Sequence, residues 1–209
     1  MTSIDGIYPN RLNRRKPLNY QENGQSLPNW TAKAQTLFEA AQSTYAWYVK
    51  SREADRVKSQ TWVEAVYKYL AGMAIENLLK AVMIGKEKSL VGECELPQSI
   101  TNHTVWTNQK NNKLRFLRES KSLQDNERLT DDEKEFLSLV ERYVVWVGRY
   151  PIPTTRSAYI DDLDIIEKFE QSHPEVKDFD KLFRSTYDKL ERLAARIDVE
   201  NMARASRPT

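Results

Sequence analysis

The residues from which this chain can build chemistry are few. It holds two histidines, His103 and His173, and one cysteine, Cys94. No Cys/His spacing matches a zinc site and no HExxH occurs, so no metal ligand set is expected. The glycines stand at 6, 24, 72, 85, 92 and 148, never as GxGxxG or a Walker loop, and there is no GxSxG elbow. No cofactor is therefore expected. What remains is a trio of polar residues in an apolar segment (Glu76, Asn77, Lys80), His103 in a polar stretch, and Arg149–Tyr150 ahead of Pro151. An imidazole suits proton transfer near neutral pH. Arginine grips phosphate bidentately, and a tyrosine ring stacks on a base. Such an inventory favours a binding module, or an enzyme that needs very few groups.

The elements that must position these residues read as helices. The chain has 209 residues with only 6 Gly and 8 Pro, enough for one domain with arms. Lys+Arg total 32 against 30 Asp+Glu, a net charge of +2 that argues against a DNA-coating protein while leaving room for a local basic groove. No apolar run approaches the roughly 20 residues needed to cross a bilayer. The first residues lack the apolar core of a secretory signal, and the lone Cys94 excludes an internal disulfide, so the expected setting is cytoplasmic.

Residues 1–29 read as a basic arm. Pro9, Pro17 and Pro28 interrupt it, and Arg11, Arg14, Arg15 and Lys16 supply its charge. A single helical domain is expected over 30–200, with a fraying tail after Asn201. The spacing predicts a first helix from Trp30 to about Arg56, capped by Asn29 or Thr31, with Ala34, Leu37, Phe38, Ala41, Tyr45 and Tyr48 on one face. Trp47 either widens that face or marks a contact.

A second helix is predicted from about Gln60 to Ile84, with Gly85 as its C-cap. It is apolar nearly all round, and its polar face changes midway, from Glu64 and Lys68 to Glu76, Asn77 and Lys80. A surface helix keeps one polar stripe, so this one should be central. Its later polar trio then faces a groove or a subunit interface, or else Glu76 and Lys80 pair on solvent.

A basic third helix is expected over 111–123, with Leu114 and Leu117 inward and Lys113, Arg115 and Arg118 outward. Thr130 followed by Glu133 is a capping box that opens a fourth helix. Phe136, Leu139, Val140, Tyr143, Trp146 and Val147 form its buried stripe, with Glu135, Arg142 and Arg149 on a second face. Pro151 should end it at Gly148–Tyr150. A short helix over 162–171 and a strongly amphipathic one over 174–197 complete the set. The charged residues Asp188, Lys189, Glu191, Arg192 and Arg196 of the last helix read as a solvated face.

Three patches stand in one order: AIENLLKAVMIGK (Ala74–Lys86), NHTV (Asn102–Val105) before a helix, and WVGRYPIP (Trp146–Pro153). In this the chain resembles the HEPN superfamily of small all-α proteins. The resemblance implies an up-and-down bundle of four to five helices, often paired as a homodimer with polar residues at a cleft. It implies a bacterial toxin–antitoxin or defence setting, with nucleotide, RNA or a partner protein as ligand. Catalytic members are metal-independent ribonucleases with an Arg, four to six residues, then a His. This chain departs from that motif. Thr154, Thr155 and Arg156 follow Arg149 at that spacing, and Leu96, Pro97 and Gln98 precede His103. The expected function is thus a non-catalytic binding module, with Glu76, Asn77, Lys80 and Arg149 contacting the ligand. One alternative is an atypical ribonuclease using Arg149, Tyr150 and His103 at a dimer cleft. The other is a scaffold that only binds protein.

Overall fold

The structure is a computed structural model; it describes residues 24–53, 57–87, 103–106, 114–119, 122–147, 156–173 and 176–206. Among these, the regular elements are helices and no strand is present. They are α1 (Leu27–Glu53), α2 (Val57–Lys86), α3 (Arg115–Glu119), α4 (Asp131–Arg142), α5 (Arg156–Ser172) and α6 (Val176–Ala205). The wider π-helical turn Tyr143–Val147 continues α4.

Side-chain pairs give the directions. Along α1 and α2, Tyr48 meets Glu64, Tyr45 meets Tyr67, and Trp30 meets Lys80, so the two helices are antiparallel. Along α1 and α6, Gln42 meets Asp180 and Gln35 meets Tyr187, again antiparallel. Phe136 meets Phe179 and Glu133 meets Lys189, so α4 also opposes α6. The four long elements therefore alternate up and down, with α3 and α5 as further helices.

The expectation for α2 holds. Ala71, Ala74, Ile75, Leu78, Leu79, Ala81, Val82, Met83 and Ile84 are all buried. An aromatic cluster fills the space between α1, α2, α4 and α6. Phe38 and Tyr187 lie 4.2 Å apart between centroids, and Phe136 and Phe179 lie 5.0 Å apart edge-on. Such pairs contribute about 0.5–1.5 kcal/mol beyond area burial. Trp47 is 50% exposed, so it does not widen the core stripe of α1.

Several boundaries differ from the sequence reading. Helix α1 begins at Leu27 because Leu27 is buried against Gly85, which draws residues 27–29 out of the arm and into the domain. Thr31 is then inside the helix, its hydroxyl donating to the carbonyls of Leu27 and Pro28, and caps nothing. The rest of the arm, 1–23, lies outside the described residues.

Gly85 is not a C-cap. It is a buried point of close approach within α2, where a Cβ would meet Leu27 and Ile197. The described part of α3 is shorter than predicted, and Leu123 is buried but sits in a bend. Helix α5 starts at Arg156, since nothing in Arg156–Ser172 breaks a helix. Helix α6 runs on to Ala205 instead of fraying at Asn201, whose side-chain amide donates to the Gly85 carbonyl at 2.9 Å.

The capping box is present as read. Thr130 Oγ1 accepts from the Glu133 amide at 3.2 Å, and Glu133 Oε2 accepts from the Thr130 amide at 2.7 Å. Glu133 does more than cap: it is buried and accepts from Ser185 and Lys189 of α6, each at 2.6 Å. Glu127 is likewise buried and held bidentately by Arg196, at 2.6 and 2.7 Å. The charged face of α6 is therefore not simply solvated. Lys189 and Arg196 reach back to neutralise two buried carboxylates. Fork-to-fork geometry makes the Arg196 pair the stronger type.

Candidate functional site

Helix α2 carries Glu64, Lys68, Gly72, Glu76 and Lys80 at four-residue steps. Each step advances about 40° around the helix, so the stripe spirals slowly and changes face midway. At its middle α4 crosses closely: a Cβ on Gly72 would lie 2.6 Å from Val144 Cγ2 and 2.9 Å from the Val140 carbonyl. The stripe's two charged pairs flank that crossing.

On one flank, Lys68 is buried and forms an ion pair with Glu64 at 2.7 Å, with Glu170 at 3.8 Å beyond. It also donates to Tyr143 Oη at 3.2 Å and lies over the Tyr143 and Phe179 rings. Burial lowers the ammonium's pKa, but Tyr143 and Glu64 outweigh it and hold Lys68 above its ordinary value. It is a fixed cation that ties α2 to the end of α4 and to α5, not a base. Sequence reasoning missed this partnership. Its signal was the Glu64–Lys68 polar face on a helix read as central, which needs buried partners.

On the other flank stand residues singled out from sequence. Glu76, Asn77 and Lys80 are 5%, 7% and 6% exposed, so they do not form a pair on solvent. Lys80 Nζ donates to Glu76 Oε1 and lies 5.9 Å from the Trp30 ring centroid. Asn77 bonds back into its own helix, its Nδ2 donating to the Met73 carbonyl at 2.7 Å, and does not join the cluster. His103 does join: its Nδ1 lies 2.9 Å from Glu76 Oε2 and 3.1 Å from Oε1. An ionised carboxylate only accepts, so Nδ1 carries the proton in this pair and Nε2 is the nitrogen left for another partner. The His103 side chain is 37% exposed, while that of Glu76 is 6%.

The segment carrying His103 is anchored twice. Val105 and Trp106 are buried, and the Trp106 amide donates to Glu141 Oε1 of α4. Glu141 is a second functional candidate that the sequence reading passed over. Its signal was a carboxylate directly beside Val140 in the buried stripe. Between α2, α4 and this segment lies a crevice lined by Gly72, Ile75, Glu76, His103, Glu141 and Val144, with room for about one water. The crevice itself admits no larger ligand, and His103 is the part-exposed member of the cluster.

Arg149 and Tyr150, the remaining sequence candidates, lie outside the described residues, as do the side chains of Trp146 and Val147. His173 stands apart, stacked on Phe169 at 4.5 Å beyond the end of α5. Among the described residues, no group of three or more His, Cys, Asp or Glu side chains is arranged to hold a metal. Nor is any helix there long and apolar enough to cross a membrane. No family model, curated protein or solved structure matches this chain.

Proposed function

We propose that the chain is a non-catalytic, HEPN-like helical binding module that acts as a cytoplasmic homodimer. Its ligand bears phosphate, a nucleotide or RNA, and is held at the edge that carries His103. One observation supports the reading above the others: a buried carboxylate, Glu76, fixes a part-exposed imidazole at Nδ1. A ring held in this way presents Nε2 in one orientation: as an imidazolium it donates to a phosphate oxygen, and as the neutral Nδ1–H tautomer it accepts from a ribose or base donor. The assignment to a toxin–antitoxin or defence setting rests on Ala74–Lys86, Asn102–Val105 and Trp146–Pro153 alone. In titration calorimetry with a mononucleotide, His103→Ala should weaken binding by about tenfold or more, the loss of one hydrogen bond to a charged group. A monomeric protein that binds no mononucleotide and purifies free of nucleic acid would sink the reading.

The same pair favours a second reading, an atypical ribonuclease. An oriented imidazole can transfer a proton, with Arg149 for the phosphate charge and Tyr150 for a base. Cleavage of RNA by highly purified protein in chelator, abolished by Arg149→Ala, would replace the first reading with this one.

A further inference from the structure

Helix α6 keeps a second face that core packing does not use. Asp188, Glu191, Ala195, Asp198 and Met202 recur at three- and four-residue steps, so they share one side, turned away from the buried Leu190, Leu193 and Ile197. The ion pairs of α6 run from Arg184, Lys189, Arg196 and Arg204 to Asp180, Glu133, Glu127 and Glu200. Among the described residues, Asp188, Glu191 and Asp198 enter none of them. Arg192 sends its guanidinium to the Asn126 carbonyl at 3.3 Å. Burial and then Asp188 push the Glu191 carboxyl above its ordinary value, and Arg192 does not offset them.

This face meets the start of α1 in a groove of about 490 Å³. Leu27, Pro28 and Thr31 form one wall, and Glu191, Ala195 and Asp198 form the other, with Arg192 beside them. Val199 and Met202, next along α6, are the two most exposed large apolar side chains among the described residues. The groove therefore asks for an occupant with cations for two carboxylates and apolar side chains for its floor and far end. It shares no lining residue with the crevice at His103.

We propose that the occupant is the chain's own basic segment 11–18, RLNRRKPL, with Arg14, Arg15 and Lys16 against Glu191 and Asp198, and Leu12 and Leu18 against Ala195, Val199 and Met202. The charges are complementary: over residues 1–21, Arg11, Arg14, Arg15 and Lys16 stand against Asp5 as the one acid. The chain also enters at the right place. Trp30 Nε1 donates to the Gly24 carbonyl at 2.9 Å, which brings Gly24 to the first turn of α1, where Leu27 and Pro28 wall the groove. The link from Lys16 to Gly24 spans up to about 28 Å when extended. Glu191 and Asp198 are about 10 Å apart along α6, so that link is long enough to serve both. The assignment stands apart from whatever His103 binds.

The test is limited trypsin digestion of the full-length protein, with cleavage after Arg11, Arg14 and Arg15 followed by mass spectrometry. A synthetic peptide of residues 8–20 sets the rate for an undocked segment. In low salt the wild-type segment should be cut at least about tenfold more slowly than the peptide, since cleavage tracks the population that has left the groove. Glu191→Gln with Asp198→Asn should speed its cleavage at least about threefold, the effect of two partly exposed ion pairs. An equally charge-depleted control on exposed sites, Glu135→Gln with Glu167→Gln, should not. Circular dichroism checks that each variant folds. Wild-type protein gives a second measure: about 0.5 M salt should reduce its protection relative to the peptide, and should do so far less in the groove variant. Cleavage as fast as the peptide, equal behaviour of the groove variant and the control, or protection that salt leaves unchanged would each overturn the proposal. Protection that grows with protein concentration would put the segment on a second copy, and would equally overturn docking within one chain.

Discussion

His103 Nδ1 lies 2.9 Å from Glu76 Oε2, which joins a half-covered imidazole to a buried carboxylate 27 positions earlier in the chain. The same carboxylate accepts from Lys80 one helical turn further along α2. One buried anion thus serves two partners. It gives the imidazole its orientation, and it gives the ammonium its reason for being inside.

This arrangement makes the cost of changing Glu76 specific. Glu76→Ala leaves the Lys80 ammonium buried without a carboxylate and should destabilise the protein by about 3–5 kcal/mol. Replacing both partners, Glu76→Leu with Lys80→Met, removes both desolvation penalties and should cost far less. Urea denaturation of the two variants checks this. A single variant no worse than an ordinary surface change, within about 0.5 kcal/mol, would mean the pair is not buried.

Gly72 and Gly85 make a second comparison. Both sit inside α2, where alanine alone would favour the helix by about 1 kcal/mol. At Gly72 the added Cβ meets the Val140 backbone carbonyl as well as Val144, and α4 cannot yield without shifting. At Gly85 its nearest contacts are the side chains of Leu27 and Ile197. Gly72→Ala should therefore lower the thermal midpoint with a net loss of about 1–3 kcal/mol, and Gly85→Ala should cost less. The reverse order would show that α4 does not cross at Gly72.

Acid sensitivity should trace in part to Glu133. Burial pushes its carboxyl upward, but Lys189, Ser185 and the Thr130 amide outweigh that and hold it below the usual carboxylate range. A lowered folded-state pKa stabilises the protein at any pH above the unfolded value, about 4.3, and that stability drains away as pH falls through the folded value. The wild-type urea midpoint should thus drop as pH falls below about 5. Glu133→Gln should be less stable at pH 7 and show a shallower fall in that range. An unchanged fall would assign the acid sensitivity elsewhere, with Glu127 and Arg196 as the next pair to test.

Much of the fold is legible along the chain because helix signals are local. A three- and four-residue apolar period marks α1 and α6, and Thr130 with Glu133 marks the start of α4. The shifting polar face of α2 marks it as central. The boundaries at Leu27, Gly85 and Asn201 are not legible, since each depends on a contact with a distant helix: Leu27 on Gly85, Gly85 on Ile197, and Asn201 on the Gly85 carbonyl.

By itself the sequence determined an all-α protein with a buried central rod and a conspicuous Glu76–Lys80 pair within it. Tertiary structure alone decided which polar groups meet. Glu76 took His103, Glu141 took the Trp106 amide, Lys68 took Tyr143, and Asn77 turned back to its own helix. The physical reason is desolvation. A charge removed from water must be satisfied by whatever partner packing brings within hydrogen-bond reach, and that partner comes from another element whose position no local periodicity encodes.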